Sequence, residues 1–412
     1  MTIRRKLTGL LTVTSLLLAM SASQVAQQPA QQSAKITISP QSVVIPIELV
    51  NRHIIVKVIV RNSRPLSFVL DTGDQFAIIN LDLAKELGLN LQGRVSMEGA
   101  GAQVSTGSFV IGASFTIPGF EGFSQPISMA LPIGHMAPLM GRDFDGIIGS
   151  ELIRQFVLEL DYQRMMITFH DKDKFVYAGT GETIPIQLDR GHPIIEARIT
   201  PLGSEPIKGK FVLDIGSSGA LALYSPFVTE RHLLAPGIKT IKAFGAGAGG
   251  DISGRIGRVK ELTIGKFKIR NPLTLFSQDT KGAFASPALA GNIGAQITSR
   301  FKLFFDYGHE RIIFEPNANL AAPFDRAFSG LRIKADGRDY RTFRITNVLE
   351  DSPASEAGLI PNDIIISIDG TPAASVTLTK LNEMFERQMT YKLVVRRGDK
   401  TLHVTLTPRR LV

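Results

Sequence analysis

The fold of this 412-residue chain is decided by the stretch Phe68-Val69-Leu70-Asp71-Thr72-Gly73, which returns as Phe211-Val212-Leu213-Asp214-Ile215-Gly216. Each copy is an apolar run that ends in Asp-x-Gly, and this pattern predicts a buried strand that delivers a carboxylate to a tight turn. A buried carboxylate is costly unless something compensates for it. Two such carboxylates from equivalent halves could meet and share one proton, which would let the pair activate water.

The repeat extends well beyond these two stretches, because other landmarks recur in the same order. Each copy has an apolar strand, a histidine, a short helical stretch after Asp-x-Gly, a Gly-rich segment, an x-Ile-Gly element and a closing strand pair. The pairs are Ile45–Leu49 with Ile184–Leu188, His53 with His192, Leu81–Leu87 with Pro226–Leu233, Glu98–Gly101 with Phe244–Gly247, Ile147–Gly149 with Asn292–Gly294, and Leu160–Phe169 with Phe305–Phe314. This order indicates a duplication that produced two equivalent lobes.

The pattern changes after about Ser329. A turn, a strand and a second turn are predicted within Pro361–Gly370, and an amphipathic helix within Leu378–Met389. Alternating residues at Tyr391–Val395 and Thr401–Leu406 predict a terminal hairpin. The C-terminal part is therefore predicted to be a separate small domain.

The N-terminus has the pattern of a targeting segment. Arg4-Arg5-Lys6 precedes an apolar stretch from Leu7 to Met20, and small residues follow. We predict a signal peptide at 1–23, a polar linker at 24–42, and an exported protein that is periplasmic or secreted. A membrane is expected as a partner only if this segment stays uncleaved as an anchor. The chain contains no Cys, so disulfides are excluded.

The charge pattern argues against nucleic-acid binding. The net charge is +9, but the basic residues are scattered and form no continuous stripe with interleaved aromatics. The seven histidines have no metal-ligand spacing, and no cofactor motif has the required context, so neither metal nor organic cofactor is predicted.

These motifs resemble the retropepsin/pepsin superfamily, and in particular the bacterial two-lobed aspartyl-protease-like proteins with a C-terminal PDZ domain. The resemblance rests on Asp71-Thr72-Gly73 with Ile147-Ile148-Gly149, on Asp214-Ile215-Gly216 with Asn292-Ile293-Gly294, and on Ser352–Gly370 for the PDZ domain. It implies a mostly β fold in which two β-barrel lobes, at 43–175 and 176–320, form a pseudo-dimer. A PDZ domain would follow at 329–412.

The resemblance also implies a set of site residues. Asp71 and Asp214 would be the catalytic pair, with a polypeptide as substrate and a C-terminal peptide as the ligand of the PDZ domain. Four residues would support the pair: Thr72, Gly73, Gly216 and Ser217. The Ser217 hydroxyl would donate to the outer carboxylate oxygen. Two flap-like hairpins would cover the cleft, and their glycines are Gly99, Gly101, Gly245 and Gly247.

Two residues depart from the family pattern. Ile215 replaces the Thr or Ser that would return a hydrogen bond across the pair. Asp74 adds a third carboxylate, which would raise the pKa of the pair if it points inward and would otherwise face solvent or contact a basic substrate side chain. The leading interpretation is an aspartic endopeptidase. The alternatives are a non-catalytic peptide-binding adaptor on a degenerate fold, and a homodimer in which Asp71 pairs with Asp71 of a second chain.

Overall fold

A computed structural model describes residues 42–101, 103–243, 245–247, 249–324 and 326–412. The predicted signal peptide and nearly all of the predicted linker lie outside these residues. The described part is mostly β, as predicted, and none of its helices is both long enough and apolar enough to cross a bilayer.

The first lobe, residues 42–171, is built around one mixed sheet with the strand order β6-β7-β10-β5-β11-β4-β3-β8-β9, and β2 pairs with β3. The strands are β1 (Ser42–Pro46), β2 (Glu48–Val50), β3 (His53–Val60), β4 (Leu66–Leu70), β5 (Ile78–Asn80), β6 (Asn90–Glu98), β7 (Val104–Ile111), β8 (Ser114–Thr116), β9 (Gln125–Pro126), β10 (Met129–Leu131), β11 (Gly146–Ile148), β12 (Phe156–Asp161) and β13 (Met166–Asp171). The helices are α1 (Leu81–Glu86), α2 (Ala137–Met140), α3 (Ser150–Ile153) and a 3₁₀ turn at Gly134–Met136.

The second lobe, residues 182–316, repeats this sheet in the order β19-β22-β25-β18-β26-β17-β16-β23-β24, with β15 on β16 and a separate hairpin of β20 and β21. The strands are β14 (Glu182–Pro185), β15 (Gln187–Asp189), β16 (His192–Thr200), β17 (Ile207–Leu213), β18 (Leu221–Leu223), β19 (Ile241–Lys242), β20 (Gly245–Gly247), β21 (Gly250–Ile252), β22 (Gly254–Arg258), β23 (Glu261–Ile264), β24 (Phe267–Arg270), β25 (Leu273–Ser277), β26 (Gly291–Ile293), β27 (Phe301–Asp306) and β28 (Arg311–Pro316). The helices are α4 (Ser225–Glu230), α5 (Ala295–Thr298) and 3₁₀ turns at Ala283–Ala285 and Tyr307–His309.

The Asp-x-Gly strand is central in both lobes. Every residue of β4 is buried, as expected for an apolar run covered on both faces. In the first lobe β11 runs parallel to β4, and in the second β26 runs parallel to β17. The same parallel neighbour in the same register is the structural form of the duplication seen in the sequence.

A third sheet joins the two lobes. Its six strands follow the order β1-β13-β12-β27-β28-β14, so that the first three belong to one lobe and the last three to the other. The junction is the antiparallel pair β12–β27, in which Leu158 lies opposite Phe305 and Leu160 opposite Leu303. All four side chains are fully buried. The lobes therefore share one continuous hydrogen-bonded layer.

The C-terminal domain is a separate sheet with its own core and the strand order β29-β30-β31-β33-β34, with β32 on β31. Its elements are β29 (Leu331–Asp336), β30 (Thr342–Val348), α6 (Pro353–Glu356), β31 (Ile364–Ile368), β32 (Thr371–Pro372), a 3₁₀ turn at Ala373–Ser375, α7 (Leu378–Phe385), β33 (Tyr391–Arg397) and β34 (Lys400–Leu406). The predicted helix and terminal hairpin are confirmed, although α7 ends at Phe385 rather than Met389. Its buried face is Leu378, Leu381 and Phe385, a helical spacing.

The C-terminal domain packs on the first lobe. Helix α2 lies against β29, and Gly141 lies so close to α7 that a Cβ there would be 2.5 Å from Leu378 Cβ. The β2–β3 turn meets the same helix, since Asn382 Nδ2 donates to Asn51 Oδ1 at 3.2 Å and Arg52 ion-pairs with Glu386. The interface is thus made by both turns and helices of the first lobe.

The C-terminal domain also contacts the second lobe. Arg332 of β29 pairs with Asp251 of β21 at 2.8 Å. At the other end of the domain, the Arg258 guanidinium donates to the Val412 carbonyl at 3.1 Å. The domain is therefore held by both lobes.

Candidate active site

The two Asp-x-Gly turns meet where β4 and β17 end. The N–H of Asp71 donates to Ile148 O and the N–H of Asp214 donates to Ile293 O, each at 2.9 Å, so each turn is held by its parallel neighbour strand. The Asp71 and Asp214 carboxyl groups adjoin each other, and Asp214 contributes to the raised pKa of Asp71. The structure thus brings together within one chain the two residues that the sequence singled out.

Glycine is required on both sides of this pair. A Cβ on Gly73 would lie 2.6 Å from Asp214 Cγ, and a Cβ on Gly216 would lie 2.0 Å from Asp71 Cγ. No side chain fits at such distances, so each carboxyl packs directly on the backbone of the opposite turn. Gly73 and Gly216 therefore allow a close backbone approach between the two turns.

Thr72 connects the two turns. Its fully buried hydroxyl donates to Leu213 O at 2.7 Å and accepts a hydrogen bond from the Ile215 N–H at 3.0 Å. Ile215 is also fully buried and has no hydroxyl with which to return the interaction. The brace across the pair is therefore one-sided, as the sequence indicated.

The two carboxyl groups receive unequal numbers of hydrogen bonds. Asp71 Oδ1 accepts from the Gly73 N–H at 2.7 Å. Asp214 Oδ1 accepts from the N–H groups of Gly216 at 2.8 Å and Ser217 at 2.9 Å, and its Oδ2 accepts from Asn292 Nδ2 at 2.6 Å. Asp214 therefore accepts three of these hydrogen bonds and Asp71 accepts one.

The role expected for Ser217 is corrected by this geometry. We predicted that its hydroxyl would donate to the outer oxygen of a catalytic carboxylate, but Ser217 contributes its backbone N–H to Oδ1. The outer oxygen is bound by Asn292, which sequence reasoning missed. The available signal was the polar residue in Asn292-Ile293-Gly294, where the first lobe has Ile147.

Asp71 is the carboxyl of the pair whose pKa is raised. Burial raises its pKa well above the usual range, and the neighbouring charges of Asp214 and Asp74 and the hydrogen bond with Asp214 raise it further. The Gly73 N–H opposes these effects only in part.

Asp74 faces inward and acts on the pair. Burial raises its own pKa to about 6, although its Oδ1 accepts a hydrogen bond from the Phe76 N–H at 3.1 Å. Its charge contributes to the raised pKa of Asp71. The third carboxylate thus has the effect that its inward orientation was expected to produce.

His53 and His192, which recur at equivalent positions of the two copies, lie near the pair. Burial of the His53 ring lowers its pKa. A hydrogen bond with the Gly216 backbone and the charge of Asp214 act in the opposite direction and partly offset the effect of burial. Burial also lowers the pKa of His192, and the charge of Asp214 acts in the opposite direction. Their recurrence in both copies was the signal that could have placed them near the site.

The two Gly-rich segments form hairpins that meet at their tips. The Gln103 N–H donates to Gly249 O and the Gly249 N–H donates to Ala100 O, both at 2.8 Å. A Cβ on Gly101 would lie 2.4 Å from Gly249 O, and one on Gly247 would lie 2.6 Å from Ala100 O. Two of the predicted hairpin glycines are therefore fixed by backbone contact between the hairpins.

The other two hairpin glycines are less constrained. The carbonyl of Gly99 accepts a hydrogen bond from the Ala283 N–H at 3.1 Å, so its backbone also joins the lobes. A Cβ on Gly245 would meet Ile252 at an ordinary 3.4 Å. Metal ligation has no candidate at the site, since no group of three or more His, Asp or Glu side chains suited to a metal occurs among the described residues.

Comparison with known proteins identifies two domains. Residues 56–152 match the aspartyl protease family, and residues 344–386 match the PDZ domain family. The chain therefore contains an aspartyl protease domain, which includes Asp71, and a PDZ domain.

Two curated relatives are serine protease HTRA1 of Xenopus laevis, 39% identical over 67 residues, and of Xenopus tropicalis, 37% identical over 68 residues. Each match covers 16% of this chain and 14% of the relative. Similar solved structures include the HtrA3 PDZ domain bound to a phage-derived ligand, at 24% identity and a TM-score of 0.19, covering 20% of this chain and 85% of that one. Another is basic 7S globulin from soybean, at 10% identity and a TM-score of 0.40, covering 67% of this chain and 95% of that one.

Proposed function

We propose that this protein is an aspartic endopeptidase in which Asp71 and Asp214 activate water. The observation that carries the proposal is a pair of adjoining carboxyl groups with unequal hydrogen-bond donors, of which Asp71 has a raised pKa and Asp214 accepts the larger number of hydrogen bonds. Two carboxyl groups with different environments supply an acid and a base at one site. The aspartyl protease match over 56–152 supports the same reaction type.

The roles of the two residues follow from their environments. Asp214 takes a proton from water, whose oxygen forms a bond to the scissile carbonyl carbon, while Asp71 gives its proton to the carbonyl oxygen. The resulting tetrahedral diol collapses when the C–N bond breaks, and a proton from the pair goes to the leaving amine. A proton from the diol restores Asp71, so the pair returns to one proton without a covalent enzyme intermediate.

The pH dependence follows from the same arrangement. Activity needs an ionised Asp214 and a protonated Asp71. Because the pKa of Asp71 is raised well above its usual range, and Asp74 becomes charged above about pH 6 and raises it further, the proton is retained as the pH rises. We therefore expect activity to extend from acidic pH towards neutrality.

The test is cleavage of a peptide library from about pH 3 to pH 8 by the wild type and by Asp71→Asn and Asp214→Asn. Matched controls are Asp82→Asn and Asp189→Asn, one in each lobe, whose side chains are 89% and 59% exposed. We expect cleavage to be lost in the first two variants and kept in the controls. Loss in Asp71→Asn alone would instead favour the homodimeric pairing.

The HTRA1 relatives are named serine proteases, but their similarity to this chain extends over only 67 or 68 residues. A serine-reactive fluorophosphonate and a pepstatin-type inhibitor distinguish the two reaction types. We expect inhibition by the second and none by the first. Cleavage that is blocked by the fluorophosphonate would contradict the aspartic mechanism.

The second candidate function is a non-catalytic adaptor, and the one-sided brace favours it. Without a hydroxyl at Ile215, one of the two hydrogen-bonded links across the pair is absent. Peptide binding at the cleft without turnover by the wild type at any pH would support this function.

For the PDZ domain we propose recognition of a C-terminal peptide by strand addition. Strand β29 is an end strand of the domain's sheet, which is the position where a peptide strand adds. The test is binding of a C-terminal peptide library to the full chain, with C-terminally amidated peptides as the control. Equal binding of free and amidated peptides would contradict carboxylate recognition.

We also propose that the protein is exported, on the basis of the basic and apolar residues at 4–20. Expression with a C-terminal tag and N-terminal sequencing of the exported form would test this. A cytoplasmic product that begins at Met1 would contradict it.

A further inference from the structure

We propose that Asn292 is a positioning residue that selects Asp214, rather than Asp71, as the ionised member of the pair, so that the two lobes have fixed and different roles. This inference rests on the proposed function, because it assigns the base and the acid of the same site. It concerns a residue to which the resemblance assigns no role, although it opens the Asn292-Ile293-Gly294 element.

The position of Asn292 is set by the ladder between β26 and β17. Asn292 lies opposite Val212, two residues before Asp214, and its Nδ2 reaches Asp214 Oδ2 at 2.6 Å. Because the strands are parallel and the residue is only 5% exposed, the amide is held firmly in this orientation.

The first lobe provides an internal comparison. There Ile147 lies opposite Val69, two residues before Asp71, in the same parallel ladder. Ile147 is buried among apolar side chains and can donate no hydrogen bond. The same place in the duplicated fold therefore carries a donor beside one carboxyl group and an apolar group beside the other.

The hydrogen bonding of the Asn292 amide shows that packing alone does not account for an asparagine at this position. Its Oδ1 is buried and has no hydrogen-bond partner among the described residues. An unsatisfied buried acceptor is unfavourable, and an apolar residue such as that of the first lobe would avoid it. The donor to Asp214 is what the asparagine adds.

Two histidines near Asp214 are weak candidates for supplying this stabilisation as cations. Burial lowers the pKa of both His53 and His192. Asp71 and Asp74 are acids that oppose a charge on Asp214. The groups facing Asp214 include Asp71, Asp74, His53, His192, Tyr162, Tyr224 and Tyr307.

The experiment compares the wild type with Asn292→Ile, which gives the second lobe the residue of the first, and with Asn292→Asp, which keeps the size of the side chain. Two readouts are used: the pH profile of kcat and KM on a peptide from the library, and ¹³C NMR titration of the carboxyl carbons in Asp-labelled protein. Folding of each variant is checked by thermal melting.

In Asn292→Ile we expect the acid limb of the kcat/KM profile to move up by about one to two pH units. This shift corresponds to the free energy that one hydrogen bond to a charged group contributes. KM should stay nearly constant, because Asn292 acts through Asp214. In Asn292→Asp the limb should move at least as far, because a donor is replaced by a like charge. The double variant Ile147→Asn/Asn292→Ile should exchange the order in which Asp71 and Asp214 titrate.

Folded variants with an unchanged acid limb and unchanged NMR titration would overturn the proposal. If Asn292→Ile does not fold, Asn292→Asp decides by the same criterion. If the wild type cleaves nothing, the proposed function fails, while the NMR titration of Asp214 with and without the Asn292 amide still confirms or refutes the positioning role.

Discussion

Thr72 offers the sharpest test of how the two lobes hold the site together. The change Thr72→Val keeps the shape of the side chain and removes only the hydroxyl. That hydroxyl is fully buried and serves two backbone groups of the other lobe, Leu213 O at 2.7 Å and the Ile215 N–H at 3.0 Å. Both groups would be left without this partner in the interior.

The magnitude follows from these two contacts. Each buried polar group left unsatisfied costs about 1 to 3 kcal/mol, so the local cost is about 2 to 6 kcal/mol. Valine in place of threonine adds no cavity, and Thr72→Ser keeps the hydroxyl, so the serine variant is the matched control. We expect kcat to fall by at least tenfold in the valine variant, because the carboxyl of Asp214 is carried by the same turn.

The assay is hydrogen exchange of the Ile215 amide, because a local readout avoids the difficulty that a protein of several domains need not unfold in one step. We expect this amide to exchange at least tenfold faster in Thr72→Val and to stay protected in Thr72→Ser. Unchanged protection of Ile215 in a folded Thr72→Val protein would refute the reasoning.

Three further perturbations test other parts of the structure. Gly101→Ala should speed hydrogen exchange at the hairpin tips, since its Cβ would lie 2.4 Å from a carbonyl oxygen, whereas Gly245→Ala, whose Cβ has ordinary contacts, should not. Asp74→Asn should stabilise the protein at pH 7 by up to about 3 kcal/mol and should not stabilise it at pH 3. The reason is that folding raises the pKa of Asp74 to about 6, so the wild-type protein loses stability as the pH rises from about 4 to 6. Urea unfolding at both pH values measures the difference. The same change should move the alkaline limb of activity to lower pH, because a negative charge beside Asp71 is removed. Glu386→Gln, which leaves two arginines of the interface unpaired, should increase proteolysis between the second lobe and the PDZ domain, whereas Glu383→Gln, at a 53% exposed side chain, should not.

The fold class could be predicted because its signals are local or repeated. The apolar run before Asp71 and its copy before Asp214 indicate buried strands by pattern alone, and the repeated order of landmarks indicates two equivalent lobes. A small C-terminal domain was also predicted from local turns and a helix, and the resemblance of Ser352–Gly370 implied that it is a PDZ domain. These features depend on residues that are close in sequence.

The parts that could not be predicted depend on contacts between distant residues. Nothing local to Asn292 shows that its amide reaches Asp214, because that requires the register of β26 on β17. The Arg52–Glu386 pair joins residues of two domains whose packing no motif encodes. The sequence left open whether Asp71 pairs within or between chains, and the structure pairs it with Asp214 of the same chain.

The layer shared by the lobes has a consequence for any separated half. One edge of β12 pairs with β13 and the other edge pairs with β27 of the second lobe. A fragment ending near residue 175 would expose the second edge, beside apolar side chains that are fully buried in the whole protein. An exposed edge of this kind has unpaired N–H and C=O groups and readily pairs with another strand. Such a fragment should either recapture the second half added in trans, reconstituting the whole protein from two pieces, or associate with its own copy through β12. Either outcome would show that the β12–β27 junction is an interface that two separate chains can form.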